Sequence, residues 1–419
     1  MKKYLSLNLV NAHLFGFLAY FFLFGFFNIA FGKLELSQIS TLTILIILGV
    51  LIFISKLYKF DFLIKSNTNF EIFNNFINKF DFKSYLVLLL IVATIISYFY
   101  INMENLFAFT AGHLPYEENL MIKKFAKFKH YIVLPILFLL SSISIIKVLN
   151  KKYLFLNFFL LILITIFIFM LGRRFSAIYL IFVFLNITNF YIEKINPNRL
   201  FKLGVIVLSL SLILWTIHSN VYQQLRINNP LQKDISIIFK IKGTLDNLGS
   251  RPSPFYELNS TVKSFEDDKI FFSNGILISQ SLKNAIPSIL YKDKKFMSED
   301  TIVASHLSSD RQIDFSSNAL RLFFLEFGLP GVIYYLISLT ILFLLINIIL
   351  NSLRSNYILY SLYYVSTFIV LLQVETITSN YFVLIFLGII FFIFNYIINT
   401  LFNNTIFRKK LNFLFEVES

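Results

Sequence analysis

The chain has 419 residues, of which 57% are hydrophobic, 18% aromatic and only 14% charged, and its formal net charge is +14. Soluble domains carry about 25% charged residues, so this composition excludes a soluble globular protein and predicts a membrane protein. The sequence contains no cysteine, which excludes disulfides, thiolate metal sites and a cysteine nucleophile. The positive charge is typical of lysines close to anionic lipid, and we expect no nucleic-acid partner.

Apolar segments along the chain predict an all-α polytopic protein with about ten membrane-spanning helices. A bilayer core is crossed by about 20 apolar residues, and such segments are helical because a helix satisfies its own backbone groups. The chain begins Met-Lys-Lys, and no small-residue cleavage site follows, so we interpret the first apolar segment as a span rather than a signal peptide. The predicted spans are 9–30, 37–55, 85–103, 131–149, 153–171, 175–191, 203–219, 332–350, 358–375 and 380–400.

The short loops rich in lysine and arginine fall mostly on one side of these spans, which predicts that this side and both termini are cytoplasmic. The predicted external loop 104–130 departs from the rule because it contains four lysines. Within it, Met121, Phe125 and Phe128 recur at helical spacing, which favours an interfacial helix on the outer surface. A different number of spans in this region is the alternative.

The longest polar segment, residues 220–317, separates seven predicted spans in 1–219 from three spans and a cytoplasmic tail in 318–419. It is external in the predicted topology. Residues 249–254, Gly-Ser-Arg-Pro-Ser-Pro, indicate a turn, and short apolar runs at 235–239 and 270–278 alternate with polar sequence. This pattern predicts a small folded cap of short helices rather than a disordered linker.

Several arginines are predicted at the outer ends of spans or in the polar segment. A guanidinium group donates two parallel hydrogen bonds and stays charged, which suits a lipid-linked pyrophosphate. Anchoring to lipid headgroups is the alternative. The adjacent pair Arg173 and Arg174 favours function because external junctions are usually poor in positive charge. The arginines are Arg173, Arg174, Arg226, Arg251, Arg311 and Arg321.

External carboxylates and a histidine are candidates for a general base, which a sugar hydroxyl needs in order to act as a nucleophile. Glu375 is distinctive because it lies at the outer end of the ninth predicted span, where an ionisable group is costly. The candidates are Asp300, His306, Asp310, Asp314, Glu326 and Glu375. The sequence contains no P-loop, metalloprotease, calcium-loop or His/Cys metal motif, so we predict neither a metal nor a cofactor.

Three short motifs flank or lie within the polar segment: residues 171–177, 285–294 and 317–331. They resemble, in order and spacing, motifs of the bacterial O-antigen and capsule repeat-unit polymerases, which are related to the O-antigen ligases. The first resembles a Gly-Ser-Arg-type beginning of a helix. The second resembles an Ile-Pro-Arg…Lys-Pro segment, with Ser288 and Lys295 replacing the usual arginine and second proline. The third resembles a loop-to-helix junction, with Ser317 where ligases usually carry histidine.

This resemblance implies a glycosyltransferase of the bacterial inner membrane that acts at the periplasmic face. A growing glycan would leave undecaprenyl pyrophosphate and join a sugar hydroxyl of the next lipid-linked repeat unit of a surface polysaccharide, including lipopolysaccharide. A chain-length regulator would be a further partner besides membrane lipid. The alternatives are a ligase and a transporter or flippase of lipid-linked sugar.

The chemistry of this reaction assigns roles to particular residues. Arg226 and Arg251 are our candidates for contact with the diphosphate or glycan, and Glu375 or Asp314 for the base. The residues expected to bind substrate beside them are Arg173, Arg174, Lys292, Lys294 and Arg321.

Overall fold

The computed structural model describes residues 8–30, 34–57, 65–101, 132–150, 152–171, 179–180, 182–187, 253–267, 272–286, 318–373 and 379–403. Within these ranges the chain forms helices and no strand, so the prediction of an all-α fold is confirmed for them. The main helices are α1 (Leu9–Phe17), α2 (Phe24–Ala30), α3 (Thr41–Lys56), α4 (Ser66–Ile77), α5 (Phe82–Ile101), α6 (Leu134–Leu149), α7 (Leu154–Leu171), α8 (Pro254–Glu266), α9 (Ile276–Ala285), α10 (Ala319–Phe327), α11 (Leu329–Ser352), α12 (Tyr357–Leu372) and α13 (Ser379–Asn403). A π-helical stretch, Leu18–Leu23, joins α1 to α2.

Two of the described helices are long and apolar enough to cross a membrane: Leu329–Ser352 and Asn380–Thr400. Six other apolar helices are shorter than a full span. The two long helices support a membrane protein, and the number of spans stays a prediction. Peripheral helices expose large apolar side chains, such as Phe155 on α7 and Phe394 on α13, as lipid contact requires. The predicted span 203–219 and the predicted interfacial helix in 104–130 lie outside the described residues.

Polar side chains mark where several helices begin. The Ser40 hydroxyl accepts from the backbone N–H of Leu42 at the start of α3, and the Ser253 hydroxyl accepts from the N–H of Tyr256 at the start of α8. The Asn318 side chain accepts from the N–H of Arg321 at the start of α10. Each cap satisfies a backbone donor that the first helical turn leaves unpaired. The boundaries of these helices are therefore encoded locally.

Helix α12 lies at the centre of the bundle, where it contacts α1, α4, α6 and α13. The amphipathic helix α4 packs its aromatic face against it. Phe73 stacks on Tyr364 with 4.4 Å between ring centroids, and Phe76 meets Tyr360 edge-on at 5.1 Å. Such aromatic pairs contribute about 0.5–1.5 kcal/mol each beyond their buried area, so α4 belongs to the core of the protein.

Helices α8 and α9, both from the polar segment, dock on the same end of the bundle. Asn259 on α8 accepts from the backbone N–H of Ser40 at 2.9 Å and donates to the carbonyl of Gln38 at 3.0 Å. Glu266 accepts from the Ser40 hydroxyl at 2.8 Å. Helix α9 contacts α10 and α13. We call α8 and α9 together the cap helices, and this end of the bundle the cap end.

The two ends of the bundle differ in charge. Among the described residues, the cap end has five acidic and three basic side chains, whereas the opposite end has two acidic and seven basic ones. The charged residues of the cap end are Glu35, Glu257, Lys263, Glu266, Asp267, Lys283, Arg321 and Glu326. Those of the opposite end, which we call the basic end, are Lys56, Lys65, Glu71, Lys79, Asp81, Lys83, Lys147, Lys152 and Arg354.

Candidate functional site: the junction of cap and bundle

We predicted a catalytic or binding role for nine residues. Of these nine, Arg321 is the one that lies within the described residues. The other eight lie outside the described residues, so their roles stay predictions; they are Arg173, Arg174, Arg226, Arg251, Lys292, Lys294, Asp314 and Glu375. Asp300, His306, Asp310 and Arg311 also lie outside, whereas Glu326 is described. The candidate site is therefore built from Arg321, Glu326 and their surroundings.

Arg321, on the first turn of α10, joins the bundle to cap helix α8. It is 2% exposed, and its guanidinium Nη1 lies 3.0 Å from a carboxylate oxygen of Glu257. Its Nε donates to the hydroxyl of Thr261 at 2.9 Å. Glu257 and Thr261 are four residues apart on α8 and therefore lie on the same helical face. The buried charge of Arg321 is thus matched by a buried carboxylate, as burial requires.

This pairing favours a positioning role for Arg321, because its charge is already neutralised by Glu257. That Arg321 binds a diphosphate stays a prediction. Sequence reasoning missed Glu257 altogether. The available signal was an acidic residue in the first turn of a Ser-Pro-capped helix, a position that usually reflects the helix dipole. Nothing in the local pattern identifies Arg321 as its partner.

Glu326 is fully buried and holds the second cap helix. One carboxylate oxygen accepts from the Ser273 hydroxyl at 2.7 Å and from the backbone N–H of Gly275. The other accepts from the N–H of Ile278 at 2.6 Å. The carboxylate therefore caps the beginning of α9, where negative charge is favoured. Because three donors occupy it, this arrangement favours a capping role over that of a general base.

An apolar cavity of about 270 Å³ lies beside this junction. Helix α9 contributes Ile278, and α10 contributes Ala319 and Phe323, which share the helix with Arg321 and Glu326. Its other lining residues come from α11 and α13: Tyr335, Ser338, Leu339, Ile341, Leu342, Leu345, Tyr381, Phe382 and Ile385.

The cavity reaches the outer face of the bundle, because one of its lining residues, Ile341, is half exposed. An engineered apolar cavity of about 150 Å³ admits a benzene ring. This larger one therefore has room for about ten carbon atoms of an apolar chain.

His13, in α1, supports the wall of the cavity. Its Nδ1 lies 3.2 Å from the carbonyl oxygen of Leu371, and its Nε2 lies 3.3 Å from the Tyr335 hydroxyl. A carbonyl only accepts, so the neutral imidazole donates from Nδ1 and accepts the Tyr335 hydroxyl at Nε2. This fixes Tyr335 against the cavity. Sequence reasoning missed His13, although an ionisable residue within an apolar span is a functional signal.

Within the described ranges, no group of three or more histidines or carboxylates is placed to hold a metal ion. No protein-family model, curated protein or solved structure matches the chain. Over the described residues, the fold and the site define a helical bundle in which apolar helices meet polar cap helices at a buried ionic junction.

Proposed function

We propose that the protein is a polytopic membrane glycosyltransferase with about ten spans. It joins oligosaccharide repeat units linked to undecaprenyl pyrophosphate into a surface polysaccharide, either O-antigen or capsule. The observation that carries the proposal is the apolar cavity beside the polar cap helices. An amphiphilic substrate needs both environments next to each other: a place for an apolar chain and a polar surface for the sugar and diphosphate.

The charge difference between the ends supports a periplasmic location for the cap. Short loops on the cytoplasmic side of a membrane are rich in lysine and arginine. The basic end has seven cationic side chains among its described residues and lies opposite the cap. We therefore propose that the basic end and both termini are cytoplasmic in the bacterial inner membrane.

The positions of Arg251, Asp314 and Glu375 in the chain support their proposed roles in catalysis. Arg251 precedes the α8 cap Ser253 by two residues, Asp314 precedes the α10 cap Asn318 by four, and Glu375 follows Leu371 of α12 by four. Four residues span at most about 14 Å. Helices α8 and α10 are joined by the Arg321 pair, and Leu371 contacts His13 beside the cavity. We therefore propose that Arg251, Asp314 and Glu375 act at the cap end.

The proposed chemistry needs no metal. As the glycosidic bond breaks, negative charge grows on the departing pyrophosphate, and Arg226 and Arg251 stabilise that charge. Glu375 or Asp314 removes the proton from the attacking sugar hydroxyl. Two lipid carriers held beside one cap convert a surface encounter into a positioned attack.

Deletion of the gene distinguishes the polymerase from its alternatives. We expect single repeat units on the final acceptor, because a separate ligase still transfers them. Gel separation of the surface glycan measures this. Long glycan stranded on undecaprenyl pyrophosphate would instead identify a ligase, which Ser317 at the ligase histidine position argues against. Unchanged glycan of every length would contradict both and favour a transporter of another solute.

A further inference from the structure

Three lysines and one carboxylate form a chain of neighbouring charges at the basic end. Lys83 lies at the start of α5, Lys147 in the last turn of α6 and Lys152 just before α7. Asp81 interacts electrostatically with Lys83 and with Lys147, and Lys147 with Lys152. Lys83 and Lys152 are exposed and Lys147 is partly exposed. With three cations and one anion, the group has an excess of positive charge that the described protein around it does not balance.

The backbone holds these lysines together. The Tyr85 hydroxyl bonds to the Ser144 hydroxyl at 3.0 Å, which ties α5 to α6 one turn from Lys147. The N–H of Lys152 donates to the carbonyl of Lys147 at 2.9 Å, closing the turn between α6 and α7. The Asn157 amide donates to the carbonyl of Lys152 at 3.0 Å. These bonds hold together the backbone segments that carry the three lysines.

The carboxylate of Asp81 accepts a hydrogen bond from the first turn of the helix that follows it. Asp81 accepts from the backbone N–H of Ser84 at 2.8 Å. Hydrogen bonding to Ser84, together with the nearby Lys83, holds the pKa of Asp81 below its ordinary value. Asp81 is thus anionic at neutral pH, and it balances one lysine of the three.

Exposed apolar side chains border the lysines. Tyr153 and Phe155 follow Lys152 and are 78% and 84% exposed, and Leu86 and Val87 follow Lys83 and are about half exposed. Lysines at the edge of an exposed apolar and aromatic surface are typical of the boundary between water and lipid. A ligand that matches this surface has a negative head and apolar chains.

We infer that Lys83, Lys147 and Lys152 bind the headgroup phosphate of an anionic phospholipid, whose acyl chains lie along Phe155 and Leu86. The lysines neutralise the phosphate as basic residues do at an anionic leaflet. A zwitterionic lipid has no net charge to match the excess of positive charge. The inference does not depend on the proposed enzymatic function.

Binding of phosphatidylglycerol to the full-length protein in neutral detergent tests this inference. A phosphatidylglycerol with a fluorescent acyl chain is titrated at low ionic strength, and its polarisation is measured. We expect the triple variant Lys83→Gln, Lys147→Gln, Lys152→Gln to bind roughly a hundredfold more weakly than the natural protein. The matched control, Lys263→Gln with Lys283→Gln, removes charges at the cap end and should bind like the natural protein.

Three further measurements complete the test. Added salt should weaken binding to the natural protein, and unlabelled phosphatidylcholine and free glycerol phosphate should compete poorly. The inference would be overturned if the triple variant bound as tightly as the natural protein, or if the control lost as much affinity as the triple variant. It would also be overturned if phosphatidylcholine or glycerol phosphate competed as well as unlabelled phosphatidylglycerol. If the triple variant fails to fold, the single variant Lys152→Gln, at an exposed turn position, replaces it. We expect Lys152→Gln to weaken binding at least severalfold, and unchanged binding would contradict the inference.

Discussion

Arg321 and Glu257 are each almost inaccessible to water, and each neutralises the other's charge. A buried ion pair adds little net stability when compared with apolar residues of the same size, because both charges lose their hydration. Removing one partner is costly, since the other charge stays buried without compensation. The pair therefore specifies which face of α8 meets α10, and this orientation sets the geometry of the proposed site.

Glu257→Gln should lower the free energy of unfolding by about 3–5 kcal/mol, because it leaves the Arg321 guanidinium buried beside a neutral amide. The double variant Glu257→Leu with Arg321→Met should recover much of that loss, since neither charge remains. Thermal unfolding in detergent measures both, with exposed Lys283→Gln as the control. If the effect of the double variant equals the sum of the effects of Glu257→Leu alone and Arg321→Met alone, the two residues are not coupled.

Among the elements, the corner between α10 and α11 depends on close approach of the backbone. Gly328 between them has a left-handed φ of 63°, which glycine adopts without strain. Gly331 in the first turn of α11 packs directly against the carbonyl of Phe323. The corner places Phe323 and Tyr335 on adjoining walls of the cavity, so the shape of the cavity follows from these two glycines.

Gly331→Ala should destabilise the protein by about 1–3 kcal/mol, because its new methyl group would overlap the Phe323 carbonyl and force the helices apart. Gly49→Ala, in α3, is the matched control: no atom lies within 4 Å of the added methyl group, and alanine favours a helix over glycine by about 1 kcal/mol. Melting temperatures in detergent compare the two. An equal shift for both variants would contradict the close packing at Gly331.

In the molecule as a whole, the cap end and the basic end lie at opposite ends of the helical bundle. Helix α3 shows this, since its first turn is bonded to α8 and its last turn contains Lys56. The 24-residue helix α11 begins at the cap end and ends beside Arg354. At about 1.5 Å per residue it extends about 36 Å, enough to cross a bilayer core.

The absence of cysteine from the chain allows a direct test of orientation. Lys283→Cys places a thiol on the exposed face of α9, and Arg354→Cys places one at the basic end. A membrane-impermeant maleimide added to intact spheroplasts should label Lys283→Cys, whereas Arg354→Cys should react only after permeabilisation. The cysteine-free natural protein is the control for background labelling. The opposite pattern would invert the proposed topology, and labelling of both variants in intact spheroplasts would refute a span between them.

Within the described residues, local patterns in the sequence determined the helical class and the approximate positions of several apolar helices. They did so because hydrophobicity and capping depend on residues within a few positions of one another. The caps at Ser40, Ser253 and Asn318 are of this kind.

Only the tertiary structure decided the site. The contact of Arg321 with Thr261 spans 60 residues, and that of His13 with Tyr335 spans 322. Neither pairing can be predicted from composition or periodicity, because each depends on how two separate helices cross and pack. The cavity is likewise formed by four helices that are distant in the chain or turned against each other at a glycine corner. The sequence determined several of the apolar helices, such as α11 and α13, but not the helix α4. Packing decided which polar residues of the described helices meet.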